Sequence, residues 1–111
     1  MDNCIFCKIV KKEIPSEMVY EDERVAVFKD INPMAPVHLL LVPKEHIESI
    51  DDLKSEDKDL IGEIILTAKK IAKEKGLISG YRLVFNVGKS AGQTVEHLHL
   101  HLIGGKNLTW H

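Results

Sequence analysis

The stretch HLHLHLI, residues 97–103, sets three histidines and three leucines in strict alternation. It holds three of the six histidines of a 111-residue chain. Period two is the repeat of a β-strand. The pattern therefore predicts a strand over 96–103 with His97, His99 and His101 on one face and Leu98, Leu100 and Leu102 on the other. A face of three imidazoles is poor core material, because each ring carries a polar nitrogen that needs a partner once buried. Two active readings follow, a metal site and a site for phosphoryl chemistry. Same-face neighbours stand about 6.5–7 Å apart and the outer pair about 13 Å apart, so three rings on one straight strand converge poorly on one ion. A division of labour suits them better, with one neutral imidazole as nucleophile and a neighbour on the same phosphate. The preceding loop GKSAGQT (88–94) offers backbone N–H groups and the Thr94 hydroxyl to phosphate oxygens.

Outward from this strand the remaining elements fall into place. YRLVFNV (81–87) reads as its antiparallel partner across the loop. SEDKDLIGEIILTAKKIAKEKG (55–76) is the one long helix, with a stripe of Leu60, Ile61, Ile64, Ile65, Ala68, Ile71 and Ala72. Ser55 is its candidate N-cap and Gly76 its stop. VHLLLVP (37–43) is a nearly continuous apolar run, as expected of a central strand. MVYEDERVAVF (18–28) reads as a hairpin turning at 21–24, and DINPMAP (30–36) as a loop. Apolar residues at 5, 6, 9, 10 and 14 give a short helix before Pro15, with another helical turn near 45–52. Five strands, one long helix and one or two short ones, without regular βαβ alternation, predict an α+β fold with a mostly antiparallel sheet.

The composition fits a single domain over 1–111: apolar residues are 44%, charged residues 29% and the net charge is −2. No basic tract favours a long nucleic acid, whereas a single nucleotide needs only local donors. An acid at Asp2 and no long apolar run near the start argue against a signal peptide, and no run approaches the roughly 20 residues that span a bilayer. These features place the chain in the cytoplasm, with Cys4 and Cys7 reduced.

HLHLHLI resembles the His-φ-His-φ-His-φ-φ signature of the histidine triad (HIT) superfamily. Its surroundings agree: DINPMAPVHLLLVPKEHI and NVGKSAGQTVEHLHLHLIGG, followed by Thr109 and Trp110, are similar to segments of the histidine triad nucleotide-binding branch, related to the purine nucleoside phosphoramidases. The similarity runs from about Cys4 to Trp110. Diadenosine polyphosphate hydrolases share the triad but usually differ around it. Galactose-1-phosphate uridylyltransferases usually carry glutamine at the third place, where this chain has His101.

The resemblance implies a HIT-like fold and an enzyme in which His99 attacks the α-phosphorus of a nucleoside 5′-phosphoramidate. A nucleotidyl-histidine forms, and water releases the nucleoside monophosphate. By the same resemblance His101, Asn86 and Thr94 contact the phosphate or leaving group, with Gln93 beside them, and His38 completes the histidine cluster. Asp30 would accept from the ribose hydroxyls, and Phe6, Ile9, Phe28 and Ile31 would line a purine pocket. From the residues alone, Ile9 and Phe28 read equally well as core, and Asp30 reads better as a turn residue before Pro33. Relatives are typically homodimers joined through one strand of each subunit, with a C-terminal segment near the partner's site that Trp110 matches. The chain's end at His111 leaves leaving-group specificity open.

CIFC (4–7) has the C-x₂-C spacing that suits zinc but supplies two ligands only. Some bacterial members of the superfamily complete such a site with two histidines, and the resemblance points to His46 and His97. A structural Zn²⁺ at Cys4, Cys7, His46 and His97 would pin the N-terminus to the sheet. A redox pair and two inert thiols are the rival readings of the cysteines. For the whole chain the rivals are a diadenosine polyphosphate hydrolase, a nucleotide-binding regulatory module with vestigial hydrolysis and a zinc-dependent hydrolase with the triad as ligands.

Overall fold

The computed structural model describes residues 3–110; the expectations tied to Asp2 and His111 lie outside that range. The order is α1 (Ile5–Val10), β1 (Met18–Glu21), β2 (Val25–Lys29), β3 (Val37–Pro43), α2 (Lys58–Glu74), β4 (Tyr81–Phe85) and β5 (Leu100–Gly104), with 3₁₀ turns at Ile50–Asp52, Ser55–Asp57 and Lys89–Ala91. The strands form one sheet in the order β1-β2-β3-β5-β4. All four pairings are antiparallel. The α+β class and the five-stranded sheet are those the alternation patterns predict.

Strand alternation sorts the core into two layers. Val25, Val27, Leu39, Leu41, Leu98, Leu100 and Leu102 meet Leu60, Ile64, Ala68 and Ile71 of α2 on one face. Phe6 and Ile9 of α1 cover Ala26, Phe28, Leu40 and Val42 on the other. β3 lies between β2 and β5 and is covered on both faces, which is why its sequence is apolar without a break.

Several boundaries differ from those read in the sequence. β5 begins at Leu100, not at 96. Its last partner pair on β3 is Leu41 with Leu100, and two places further the register would set Pro43 opposite Leu98. Proline has no N–H to give, so the ladder stops there. The Leu98 N–H instead bonds the Ile47 carbonyl at 2.6 Å. β4 ends at Phe85, leaving Asn86 and Val87 outside the strand.

The long helix starts at Lys58, after a 3₁₀ turn at Ser55–Asp57, and Ser55 is not its cap. The Asp57 carboxylate takes the Lys54 N–H at 2.8 Å and closes that turn. At the other end Gly76 adopts φ 75°, and the Gly76 and Leu77 N–H groups return to Lys73 and Ala72. This is the glycine-terminated cap the sequence predicts. Ile65, placed on the buried stripe, is 41% exposed, because the sheet covers only a narrow band centred on Leu60, Ile64 and Ala68. α1 stops at Val10, well before Pro15, where Lys12 turns left-handed at φ 65°.

Ile64 is fully buried under the sheet. Ile64→Ala is expected to lower unfolding stability by about 2–5 kcal/mol in urea titration, through lost transfer energy and the cavity left behind. A loss under about 1 kcal/mol would contradict this placement of α2.

Candidate active site

Strand alternation carries the histidines to the α1 face. β3 presents His38 there and β5 presents His101. Their rings stand 5.2 Å apart, with His38 Nε2 2.9 Å from His101 Nδ1. His99 precedes β5, its ring 5.0 Å from that of His101 and 5.1 Å from that of Phe6. His97 lies deeper and is wholly buried, 5.9 Å from the Phe6 ring. The three rings share a face as the alternation predicts, although only His101 belongs to the regular strand.

The hydrogen bonds assign the protons. The Met34 N–H donates to His38 Nδ1 at 3.0 Å, so the proton of neutral His38 sits on Nε2. That N–H faces His101 Nδ1 and, at 3.3 Å, Asp30 Oδ2. His101 Nδ1 therefore accepts, and its own proton lies on Nε2, a buried atom with no partner among the described residues. His99 Nδ1 lies 2.7 Å from the His97 carbonyl, which can only accept, so Nδ1 carries the proton and Nε2 is the unprotonated nitrogen that keeps a lone pair. His97 Nε2 likewise donates to the Pro43 carbonyl at 2.8 Å. One bare ring nitrogen and one unpartnered N–H on adjacent rings suit an electrophile that carries negative oxygens.

Burial keeps these rings neutral. It lowers His99, opposed by the bond to His97 and by Asp30. It lowers His38 against the opposing pull of Asp30. It pushes His101 down to about 4, assisted by His99 and His38.

Other expected residues have these places. Asp30 follows β2; one oxygen accepts from the Asn32 N–H at 2.8 Å and the other faces His38. It is thus the turn residue the bare sequence suggests and a member of the histidine cluster as well. Phe6, Ile9 and Phe28 are packed together under the histidines, with Phe28 only 2% exposed. Ile31 is 85% exposed. Asn86 is half-buried just past β4, and Thr94 is exposed on the loop before His97.

Gln93, placed beside the phosphate by sequence, is used internally. It is buried, its Nε2 donates to the Glu48 and Val95 carbonyls at 2.7 and 3.0 Å, and its Oε1 takes the Gly88 N–H at 2.9 Å. Both amide hydrogens are spent, so in this conformation it braces the loop. Sequence reasoning missed the main-chain groups of Met34, Pro43 and Ile47. For Met34 the signal is present: Asp-x-Asn-Pro marks a turn that brings the next N–H under His38.

Behind the histidine cluster lies a second group. Cys4 caps α1, its sulfur taking the Cys7 N–H at 3.4 Å. Cys4 Sγ is 3.3 Å and Cys7 Sγ 3.5 Å from His97 Nδ1, and Cys7 Sγ is 3.3 Å from His46 Nδ1. All four ligand atoms lie within 4.8 Å of one another, a set that can hold a metal ion. Burial and then the Cys4 thiol push Cys7 up, so a bare thiolate is disfavoured there without a cation. His97 is held down at about 4, mainly by burial, which keeps its Nδ1 free to ligate.

Fold and site together define a small α+β domain whose alternating histidines line one sheet face. Comparisons give it a family. A family model described as "Scavenger mRNA decapping enzyme C-term binding" matches residues 3–109. Protein HitA of Neisseria gonorrhoeae is 52% identical over 104 residues, 94% of this chain and 97% of that protein. The structure of a HIT family hydrolase from Legionella pneumophila superposes with TM-score 0.96 at 51% identity, covering 97% of each chain. That of a histidine triad nucleotide-binding protein from Candida albicans gives TM-score 0.84 at 34% identity, covering 97% of this chain and 82% of that one. The chain belongs to the histidine triad family and has its HIT-like fold.

His101 sets part of the acid limb of stability. Its pKa is near 6.5 when unfolded and about 4 when folded. Below pH about 6.5 the unfolded chain binds a proton that the folded chain refuses, so stability falls as pH drops toward 4. His101→Gln should flatten that slope in urea titrations between pH 7 and 4, and an unchanged slope would show that His101 charges freely in the fold.

Proposed function

We propose that this protein is a nucleotide-binding hydrolase that cleaves the phosphorus–nitrogen bond of nucleoside 5′-phosphoramidates through a nucleotidyl-His99 intermediate. The observation that carries the reading is the pair of proton assignments: Nε2 of His99 bare, Nε2–H of His101 unpartnered. Family membership supports it, and so do the hydrolase and nucleotide-binding names of the Legionella and Candida proteins.

In the first step the His99 Nε2 lone pair forms the bond to the α-phosphorus. The phosphorus–nitrogen pair leaves with the amine, which takes a proton from solvent. His101 Nε2–H donates to a phosphate oxygen as charge builds there. His38, held by Met34 and Asp30, keeps that N–H pointed outward by filling His101 Nδ1. In the second step water attacks phosphorus, the bonding pair returns to His99 and water's proton is released. The nucleoside monophosphate departs and the ring is restored. Dividing one displacement into two is the gain from a covalent nucleophile. Asn86 and Thr94 hold the phosphate, Asp30 the ribose, and Ile31 with the Phe6–Ile9–Phe28 cluster a purine.

The cysteine–histidine cluster is read as a structural zinc site. With bonds of about 2.3 Å to sulfur and 2.0 Å to nitrogen, a tetrahedral ion sets adjacent S and N roughly 3.5 Å apart, close to the separations between these side chains. Four protein ligands leave no place for substrate, which separates this site from a zinc hydrolase. A reducing cytoplasm suits such thiols. A homodimer is proposed through β4, an edge strand whose Tyr81 and Leu83 are 39% and 36% exposed, with Trp110, 87% exposed, reaching across. No helix among the described residues is long and apolar enough to cross a membrane.

Two measurements test the reading. His99→Asn should lower turnover of adenosine 5′-phosphoramidate by on the order of 10⁴-fold while adenosine monophosphate still binds, and retained turnover would end the proposal. Elemental analysis should find about one zinc per chain, with chelation lowering the melting temperature; metal-free, fully stable protein would remove the zinc reading.

A further inference from the structure

We propose that Glu21, shared between Lys12 and Lys44, is a positioning residue that sets the width of the purine slot between α1 and β2. The inference deepens the placement of a purine against Phe6, Ile9 and Phe28 and rests on it.

The slot has two walls. Phe6 and Ile9 stand on α1 and Phe28 on β2, with the Phe6 and Phe28 rings edge to face at 5.4 Å. The three side chains are 6%, 8% and 2% exposed. Walls packed this closely give way little, so a small displacement of α1 against β2 changes what the slot accepts. The helix has only six residues. One so short is not held by its own hydrogen bonds and takes its position from what it is tied to.

The exit of α1 is tied by charge. Just past the helix, Lys12 takes φ 65°, a left-handed turn that glycine adopts more readily than a residue with a Cβ. Its N–H bonds the Ile9 carbonyl at 3.0 Å, so the turn is fastened directly to a wall residue. Its ammonium pairs with Oε1 of Glu21, and the Lys44 ammonium stands 2.9 Å from Oε2. Glu21 closes β1 and pairs with Ala26 of β2, two residues before Phe28. Lys44 follows β3, and its N–H bonds the Arg24 carbonyl at 2.8 Å. One carboxylate thus joins the end of the α1 wall to the hairpin that carries the other wall. A lysine stands at 12 in place of a glycine because its ammonium reaches Glu21. Lys12 and then Lys44 lower the Glu21 carboxyl below its usual value, so it is charged at neutral pH. An isolated exposed pair contributes little, whereas a carboxylate shared by two cations from separate elements acts as a network.

The test measures dissociation constants of the full-length protein for adenosine monophosphate and for ribose 5-phosphate, which lacks the base. Wild-type protein should bind adenosine monophosphate more tightly. Glu21→Gln and Lys12→Gly should each weaken adenosine monophosphate about three- to fivefold and leave ribose 5-phosphate within about twofold, the size expected for losing exposed ion pairs. Lys12→Arg should behave as wild type. Salt near 1 M should narrow the preference for the base in wild type and not in Glu21→Gln, because screening acts on exposed pairs and the phosphate cancels in the ratio. A folded Glu21→Gln or Lys12→Gly protein with an unchanged preference overturns the proposal. So does an equal loss of both ligands, which marks general loosening. Wild-type protein that binds the two ligands equally removes the purine slot itself, and the role of Glu21 with it, before any variant is compared. Should Glu21→Gln unfold, Lys12→Gly decides the matter, since glycine suits the left-handed turn. If both unfold, the three charges serve the fold alone and the proposal fails.

Discussion

The bond from His99 Nδ1–H to the carbonyl of His97 is the constraint on which the site depends. A neutral imidazole has one N–H, and wherever it is committed the other nitrogen is bare. The bond spans two residues of one strand-like segment, so any structure that fixes residue 97 also fixes the chemistry of residue 99. Burial reinforces it by holding His99 neutral, so that the lone pair is present near neutral pH.

A second set of bonds makes the complementary choice at the neighbouring ring. The Met34 N–H occupies one nitrogen of His38, His38 occupies one nitrogen of His101, and the last N–H of the series stands without a partner among the described residues. A buried donor left unsatisfied costs roughly 1–3 kcal/mol, and a bound anion would recover that cost on arrival. The fold sets the two tautomers side by side, one ring with an unprotonated nitrogen and the next with an N–H, so two chemically identical side chains offer opposite hydrogen-bonding groups.

Much of this was legible in the sequence, for identifiable reasons. Period-two alternation in 97–103 placed the three histidines opposite the leucines, and the structure keeps that division even where the strand itself is absent. The continuous apolar run at 37–43 marked the central strand because both of its faces are covered. Less legible were features set by main-chain accounting across the fold. Pro43 ends the ladder that the alternating pattern by itself would extend to residue 96, and it acts through its register against Leu98. Gln93 sits in a loop of phosphate-binding composition, yet carbonyls 45 and 2 residues away use its amide hydrogens. Ile65 obeys the helical spacing and is exposed all the same, since spacing gives the direction of a stripe and not its width.

The central claim is that His99, and not water or another side chain, makes the first bond to phosphorus. Its most direct test is to quench the protein within its first turnovers of adenosine 5′-phosphoramidate, digest it, and locate any nucleotide adduct by mass spectrometry. The account predicts adenylate attached to the peptide containing residues 97–101, with fragmentation assigning it to His99. An adduct on another residue, or turnover with no adduct at any quench time, would contradict it.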